Sequence, residues 1–315
     1  MTNFLTKPLI IGNGQLGQGL KNQYPNADIL SYPELDLASR DSIMAVDFTK
    51  YSVIINAAAW TRVDAAERPE LLKRVEAINT DGPALLAECA KKCNLPLVHI
   101  SSDYVFDGNK TNHNENEPFS PLSIYGKTKA AGDAKIQEAA PDRYWILRSS
   151  WVIGKGVSGA RGKGTNFVKI MAGLARKGIS PNVVNDQSGR ETYVDELVRA
   201  IDFILKNEPE NGVYNVTNSG KVSSLADITK YIFTKLGRNS DDVTGVSTDE
   251  YYGAQGFQKT ATNYIRKNTD DTIDYVALRP KNSDLDLTKI HALGFQSEDY
   301  FKKIDQYLKE LAEED

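Results

Sequence analysis

Residues 8–20 read PLIIGNGQLGQGL, a short apolar run that stops at Gly12 and gives way, from Leu16, to a helix-like stretch. Gly12, Gly14 and Gly17 form a GxGxxG pattern at that junction, so the chain opens as strand, tight turn and helix. Glycines there share one physical use. Without Cβ atoms the backbone can approach a pyrophosphate closely, and the helix N-terminus turns free amides and a partial positive charge toward it. The bare pattern is weak; the strand before it and the helix after it give it weight.

Outward from this turn, residues 29–30, 53–55, 97–100 and 145–147 are further short apolar runs, separated by helical stretches such as 83–93. Strands alternating with helices predict an α/β fold, a Rossmann-like doubly wound parallel sheet with right-handed crossovers and helices on both faces. Beyond about residue 150 the alternation loosens. The Gly/Lys/Arg-rich segment 154–164 reads as a loop and candidate lid, 166–177 and 195–206 read as helices, and the polar stretch 239–274 has no clear period. The expected organisation is a dinucleotide-binding domain over 1–150 with a returning segment near 183–206, and a smaller substrate-binding lobe from 151–182 and 207–315.

A chain of 315 residues with 40% hydrophobic content suits one large α/β domain plus such a lobe, with a cleft between them. The net charge of −4, with acids and bases interspersed, argues against a nucleic-acid partner, although a few placed Arg and Lys residues suffice to grip one pyrophosphate. No segment approaches the ~20 apolar residues of a bilayer span, so no membrane partner and a cytoplasmic location are expected. Cys89 and Cys93 read as reduced thiols, and His99, His113 and His291 lack metal-ligand spacing, so no metal is expected. The oligomeric state, a homodimer included, is left open.

Ala57, Ala58 and Ala59 follow the third apolar run, where small residues suit a surface on which a cofactor lies flat. The acid expected near the end of the second strand appears only as Glu34 and Asp36, with no Arg beside it, so NADPH and NADH stay open as alternatives. Tyr125 and Lys129 are four apart, and a helix beginning near Ser123 puts them on one face. Lowering a tyrosine from its usual pKa of about 10 by roughly three units takes about 4 kcal/mol of preferential phenolate stabilisation. Lys129 and an oxidised nicotinamide are suited to supply it. Ser102 and Asp103 close the fourth run, at the sheet edge where α/β folds bind ligands; the Ser102 hydroxyl can meet a reacting oxygen or Tyr125, and Asp103 can accept from sugar hydroxyls.

Taken in order, GQLG, NAAAWTRVDAAE, SSDYVFDG, SIYGKTKAAGD, LRSSWVIG, NDQSGRETY and RPKNSDL resemble the dTDP-4-dehydrorhamnose reductase family, within the extended short-chain dehydrogenase/reductase superfamily, over nearly the whole chain. The resemblance implies that Gly14, Gln15 and Leu16 touch the cofactor phosphates, Asp36 and Leu37 the adenosine end, and Ala59 and Thr61 the middle of the dinucleotide. It implies Tyr125 as proton donor, Lys129 as holder of the nicotinamide ribose, Ser102 and Asp103 against the reacting sugar, Trp151 packed on it, and Val63 and Asp64 completing the pocket. Three features depart from the family: Trp60 stands where His or Tyr is usual, residues 189–192 differ after NDQ, and the region 251–275 is longer and more polar. Phe301 stands where some relatives carry a magnesium-binding glutamate.

The implied reaction is reduction of the C4 keto group of a nucleotide-linked 6-deoxy sugar by hydride from NAD(P)H, with Arg161, Lys163 and Arg279 as candidates for the substrate pyrophosphate. The alternatives are a reductase or epimerase of another nucleotide sugar and a non-catalytic dinucleotide-binding regulatory subunit; the intact Ser-Tyr-Lys set argues against the last. An RNA-binding use of the fold has little support in the charge pattern.

Overall fold

A computed structural model describes residues 4–154 and 166–313. Its centre is a six-stranded sheet built from β1 (Pro8–Ile11), β2 (Asp28–Leu30), β3 (Val53–Asn56), β4 (Leu97–Ser102), β5 (Tyr144–Ser149) and β6 (Gly212–Asn215), in the order β6-β5-β4-β3-β1-β2. Every pairing is parallel, with Ile10 in register with Ile29 on one side and Ile55 on the other.

The apolar runs of β1, β3, β4 and β5 are continuous because these strands bury both faces, whereas the edge strand β2 is only partly buried. Ile10, Val53, Ile55, Val98, Trp145, Leu147 and Tyr214 point into one core, and Leu9, Ile11, Ile54, Leu97, Ile146 and Val213 into the other. On the first face, α1 (Gln15–Gln23) contributes Leu16 and Leu20. The second face is covered by α3 (Gly82–Lys92), through Leu85, Leu86 and Ala90, and by α4 (Ile124–Ala139), through Ile136. Between these comes a single turn of helix, α2 (Val63–Ala66). After β5 follow α5 (Phe167–Arg176) and α6 (Val194–Asn207), the latter returning to the first core with Leu197, Ile201 and Ile204.

A third core joins Val168 and Ala172 of α5 to Ile228 and Ile232 of α7 (Leu225–Lys235) and Ile304 and Leu308 of α8 (Tyr300–Glu313). Two differences from the sequence expectation concern this half. Gly212–Asn215 belongs to the main sheet and not to the substrate lobe: GVYN is only four residues, too short to reveal by pattern that it pairs with β5. The aperiodic region holds an antiparallel three-stranded meander, β7 (Gln258–Lys259), β8 (Asn263–Lys267) and β9 (Ile273–Ala277). Of its residues only Tyr264, Val276 and Ala277 are buried, so no two-residue apolar alternation marks it. No described helix is long and apolar enough to cross a membrane.

Candidate active site

The opening turn is shaped by close contacts. Gly12 sits at φ +104°, where a Cβ would lie 2.9 Å from the Ala58 backbone nitrogen, so the turn presses directly onto the Ala57-Ala58-Ala59 segment. Gly14 is the N-cap of α1 with no side-chain cap, and a Cβ on it would meet nothing within 4 Å. The first amides of α1 therefore face open space, a set of unsatisfied donors with partial positive charge that fits a dinucleotide pyrophosphate. Leu16 sends its side chain into the core, which leaves its backbone amide for a ligand, while Gln15 lies against Gly154. At Gly17 a Cβ would fall 1.9 Å from the Gly12 carbonyl oxygen. Gly17→Ala must displace the turn; we expect a stability loss of about 1–3 kcal/mol and weakened nicotinamide binding, read by denaturation and cofactor titration.

Leu37, expected at the adenosine end, is buried and lies against Gly82. Asp36 accepts two hydrogen bonds from Arg74 Nη2, at 2.9 and 3.1 Å, and Arg74 also lies over the Tyr32 ring. A cation therefore stands beside the expected ribose position, delivered from 38 residues along the chain. The sequence reading missed it by looking only at the strand end.

At the C-terminal edge of β4, the Ser102 hydroxyl donates to Asp103 Oδ1 at 2.9 Å and accepts from the Tyr104 amide at 3.2 Å. Burial raises the Asp103 carboxyl to about 6, against hydrogen bonds from Ser283 and Ser102 that favour the anion. As expected, α4 begins after Ser123, whose Oγ accepts from the Gly126 amide at 3.1 Å; the Ile124 amide donates to Glu67 at 2.8 Å. Gly126 permits contact with the Tyr104 carbonyl, since a Cβ there would stand 2.2 Å from that oxygen. The Tyr104 ring then meets Tyr125 edge-on, with centroids 5.3 Å apart.

Tyr125 is thus held beside Ser102. Burial, and then the charge of Asp103, lift its phenol above the ordinary tyrosine value, while hydrogen bonding to Ser102 works the other way. The expected lowering of Tyr125 by Lys129 is not found. Lys129, buried on the same helix face, donates to the Ile100 carbonyl at 2.7 Å and lies 3.1 Å from His99 Nε2. Burial lowers it to about 8, with the Asp133 carboxylate opposing the shift. Asn56 Oδ1 accepts from the Ala58 amide and its Nδ2 lies 3.0 Å from His99 Nδ1, so the imidazole is held between Asn56 and the Lys129 amine. Neither His99 nor Tyr104 was singled out from sequence, because nothing in the spacing links β4 to α4; only their packing does.

Trp151, at φ +44°, lays its indole against Gly189. Thr61, Val63 and Asp64 line a cavity at α2. Arg279, a pyrophosphate candidate, makes a two-pronged ion pair with Asp64 at 2.9 and 3.0 Å, so the two groups neutralise each other. Arg161 and Lys163 lie outside the described residues. Among the described residues no group of three or more His, Cys, Asp or Glu side chains is placed to hold a metal ion.

Comparison with known proteins places the chain in a family. The chain is 35% identical over 312 residues to a dTDP-4-dehydrorhamnose reductase of Aggregatibacter actinomycetemcomitans, covering 94% of this chain and 96% of that one. It is 32% identical over 224 residues to a dTDP-4-keto-6-deoxy-D-glucose reductase of Streptomyces niveus, covering 70% and 74%. Among solved structures, dTDP-4-dehydrorhamnose reductase from Bacillus anthracis in complex with NADP superposes with a TM-score of 0.78 at 29% identity, covering 96% of this chain and 99% of that one. The family model for the RmlD substrate binding domain matches residues 7–313, and with the glycine turn, the β4 serine and the Tyr125 helix all in place, the chain belongs to that family.

Proposed function

We propose that this protein reduces the C4 keto group of dTDP-4-dehydro-L-rhamnose to give dTDP-L-rhamnose, with NADPH as hydride donor. The observation that carries the reading is Tyr125 beside Ser102 at the sheet edge that the glycine turn opens onto. The free amides after Gly14, together with Gln15 and Leu16, would hold the cofactor pyrophosphate; Asp36 and Arg74 its adenosine end; Ala57, Ala58, Ala59 and Thr61 its middle; and Lys129 its nicotinamide ribose. NADPH is taken as the donor because the similar Bacillus anthracis reductase is in complex with NADP; Arg74 would have to release Asp36 to meet a 2′-phosphate.

When bound, the reduced nicotinamide supplies hydride to the carbonyl carbon. Tyr125 gives its hydroxyl proton to the oxygen as negative charge develops there, and Ser102 hydrogen-bonds the same oxygen. A phenol held above its ordinary pKa keeps its proton at neutral pH, the state a donor needs. Ser102 is positioned by Asp103 and the Tyr104 amide; to donate to that oxygen its one hydroxyl hydrogen turns away from Asp103 Oδ1. Trp151 and Val63 supply apolar walls.

Loss of absorbance when purified protein is mixed with NADPH and dTDP-4-dehydro-L-rhamnose tests the assignment, with dTDP-4-keto-6-deoxy-D-glucose as comparison sugar. No turnover with the first would refute it. The pH profile is a second check. Lys129 gives up its ammonium charge near pH 8 instead of the usual 10.5, so the charged form is present below pH 8 and lost above it. We expect kcat/KM to fall as pH rises through about 8, and Lys129→Arg, which stays charged, to move that limb upward.

A further inference from the structure

A cavity of about 570 Å³ opens between α2 and the β7-β8-β9 meander, within the size range of small-molecule sites. The meander is tied down along this seam: the Ala277 amide donates to Asp64 at 3.0 Å, and Asn263 reaches Glu67, the carboxylate that also anchors the first turn of α4. The lining carries four arginines, Arg62, Arg68, Arg266 and Arg279, against Asp64 and Asp274, an excess of two positive charges on a chain whose net charge is −4.

Two of these arginines are committed within the protein. Arg279 is forked onto Asp64, and Arg266 donates to Asp274 at 2.8 Å while stacking on Phe257. Arg62 and Arg68 are exposed at either end of α2, and no ion pair of theirs occurs among the described residues. Tyr275 adds an aromatic wall able to stack a base. The cavity borders the reaction centre through Tyr104, which meets Tyr125 edge-on and lies within the electrostatic reach of Arg279 and Asp64.

We propose that this arginine-lined cavity takes the diphosphate of the nucleotide sugar, with Arg62 and Arg68 as its direct ligands and the meander as the wall that encloses it. The proposal rests on the reduction reading for its choice of ligand. Two unpaired guanidiniums in a cleft that already holds two neutralised ones are matched by a dianion, and arginine offers phosphate oxygens a planar pair of donors.

The test uses Arg62→Ala/Arg68→Ala in the full chain, with dTDP as the binding probe in calorimetry and as an inhibitor of turnover. Each lost charged hydrogen bond is expected to weaken binding about 10- to 100-fold, so KM for the nucleotide sugar and Kd for dTDP rise together while NADPH binding holds. In the unsubstituted protein dTDP should inhibit competitively against the nucleotide sugar. Normal turnover with unchanged KM and dTDP affinity in the double variant overturns the cavity assignment and leaves the reduction reading standing. Non-competitive inhibition overturns it too, by placing dTDP at a separate site. Absence of turnover alongside dTDP binding that depends on Arg62 and Arg68 supports the cavity and removes the reduction reading instead.

Discussion

Tyr125→Phe is expected to lower kcat by about a hundred- to ten-thousand-fold while leaving NADPH affinity within a few-fold of its original value. The ring stays, so its edge-on packing against Tyr104 and the start of α4 at Ser123 are undisturbed. What disappears is the one proton donor beside Ser102. Ser102 cannot substitute, because its own proton is engaged by Asp103 at 2.9 Å, and giving up a serine proton at neutral pH is far harder than giving up a phenol proton. Cofactor titration by fluorescence separates loss of chemistry from loss of binding. Turnover close to the original rate would remove Tyr125 from the mechanism.

Asp133→Ala should be the most damaging single change to stability, about 3–5 kcal/mol. Asp133 and Arg148 are both buried and paired at 3.1 Å. The guanidinium cannot swing to water: it donates to the Glu115 carbonyl at 3.1 Å and lies over the rings of Phe106 and Phe119. Removing the aspartate strands a charge inside the protein, whereas Asp133→Leu/Arg148→Met removes both charges and should recover most of the loss. Urea denaturation of the three proteins measures this. A loss below about 1 kcal/mol for Asp133→Ala would mean water reaches the arginine. Because the Asp133 charge supports the Lys129 ammonium, the single variant should also move the alkaline limb of the pH profile to lower pH.

These outcomes depend on contacts of differing visibility in the sequence. The glycine turn was legible because its requirement is local: Gly12 adopts a backbone conformation that L side chains rarely adopt, and Gly17 touches a carbonyl five residues earlier. The strands β1, β3, β4 and β5 were legible because burial on both faces makes each a run of apolar residues, and β2 because Ile29 and Leu30 still pack against the two cores. Tyr125 and Lys129 were legible as a pair because helical geometry puts them on one face. Their partners were not. Whether Lys129 meets Tyr125 or instead His99 and the Ile100 carbonyl depends on how α4 leans on β4, which no spacing encodes. The pairing of Arg279 with Asp64 likewise joins residues far apart in sequence, so an arginine that the motif offered to a substrate turns out to fasten the meander.

The order of residues by itself determined the doubly wound sheet, the glycine turn and the helix carrying Tyr125, since backbone conformation and apolar periodicity are properties of neighbours along the chain. Tertiary structure alone decided the protonation of the site, the placement of Arg74 beside Asp36, the sixth strand and the arginine-lined cavity. Burial and charge act through space at distances of a few ångströms, and residues that close are set by packing, not by their separation in sequence.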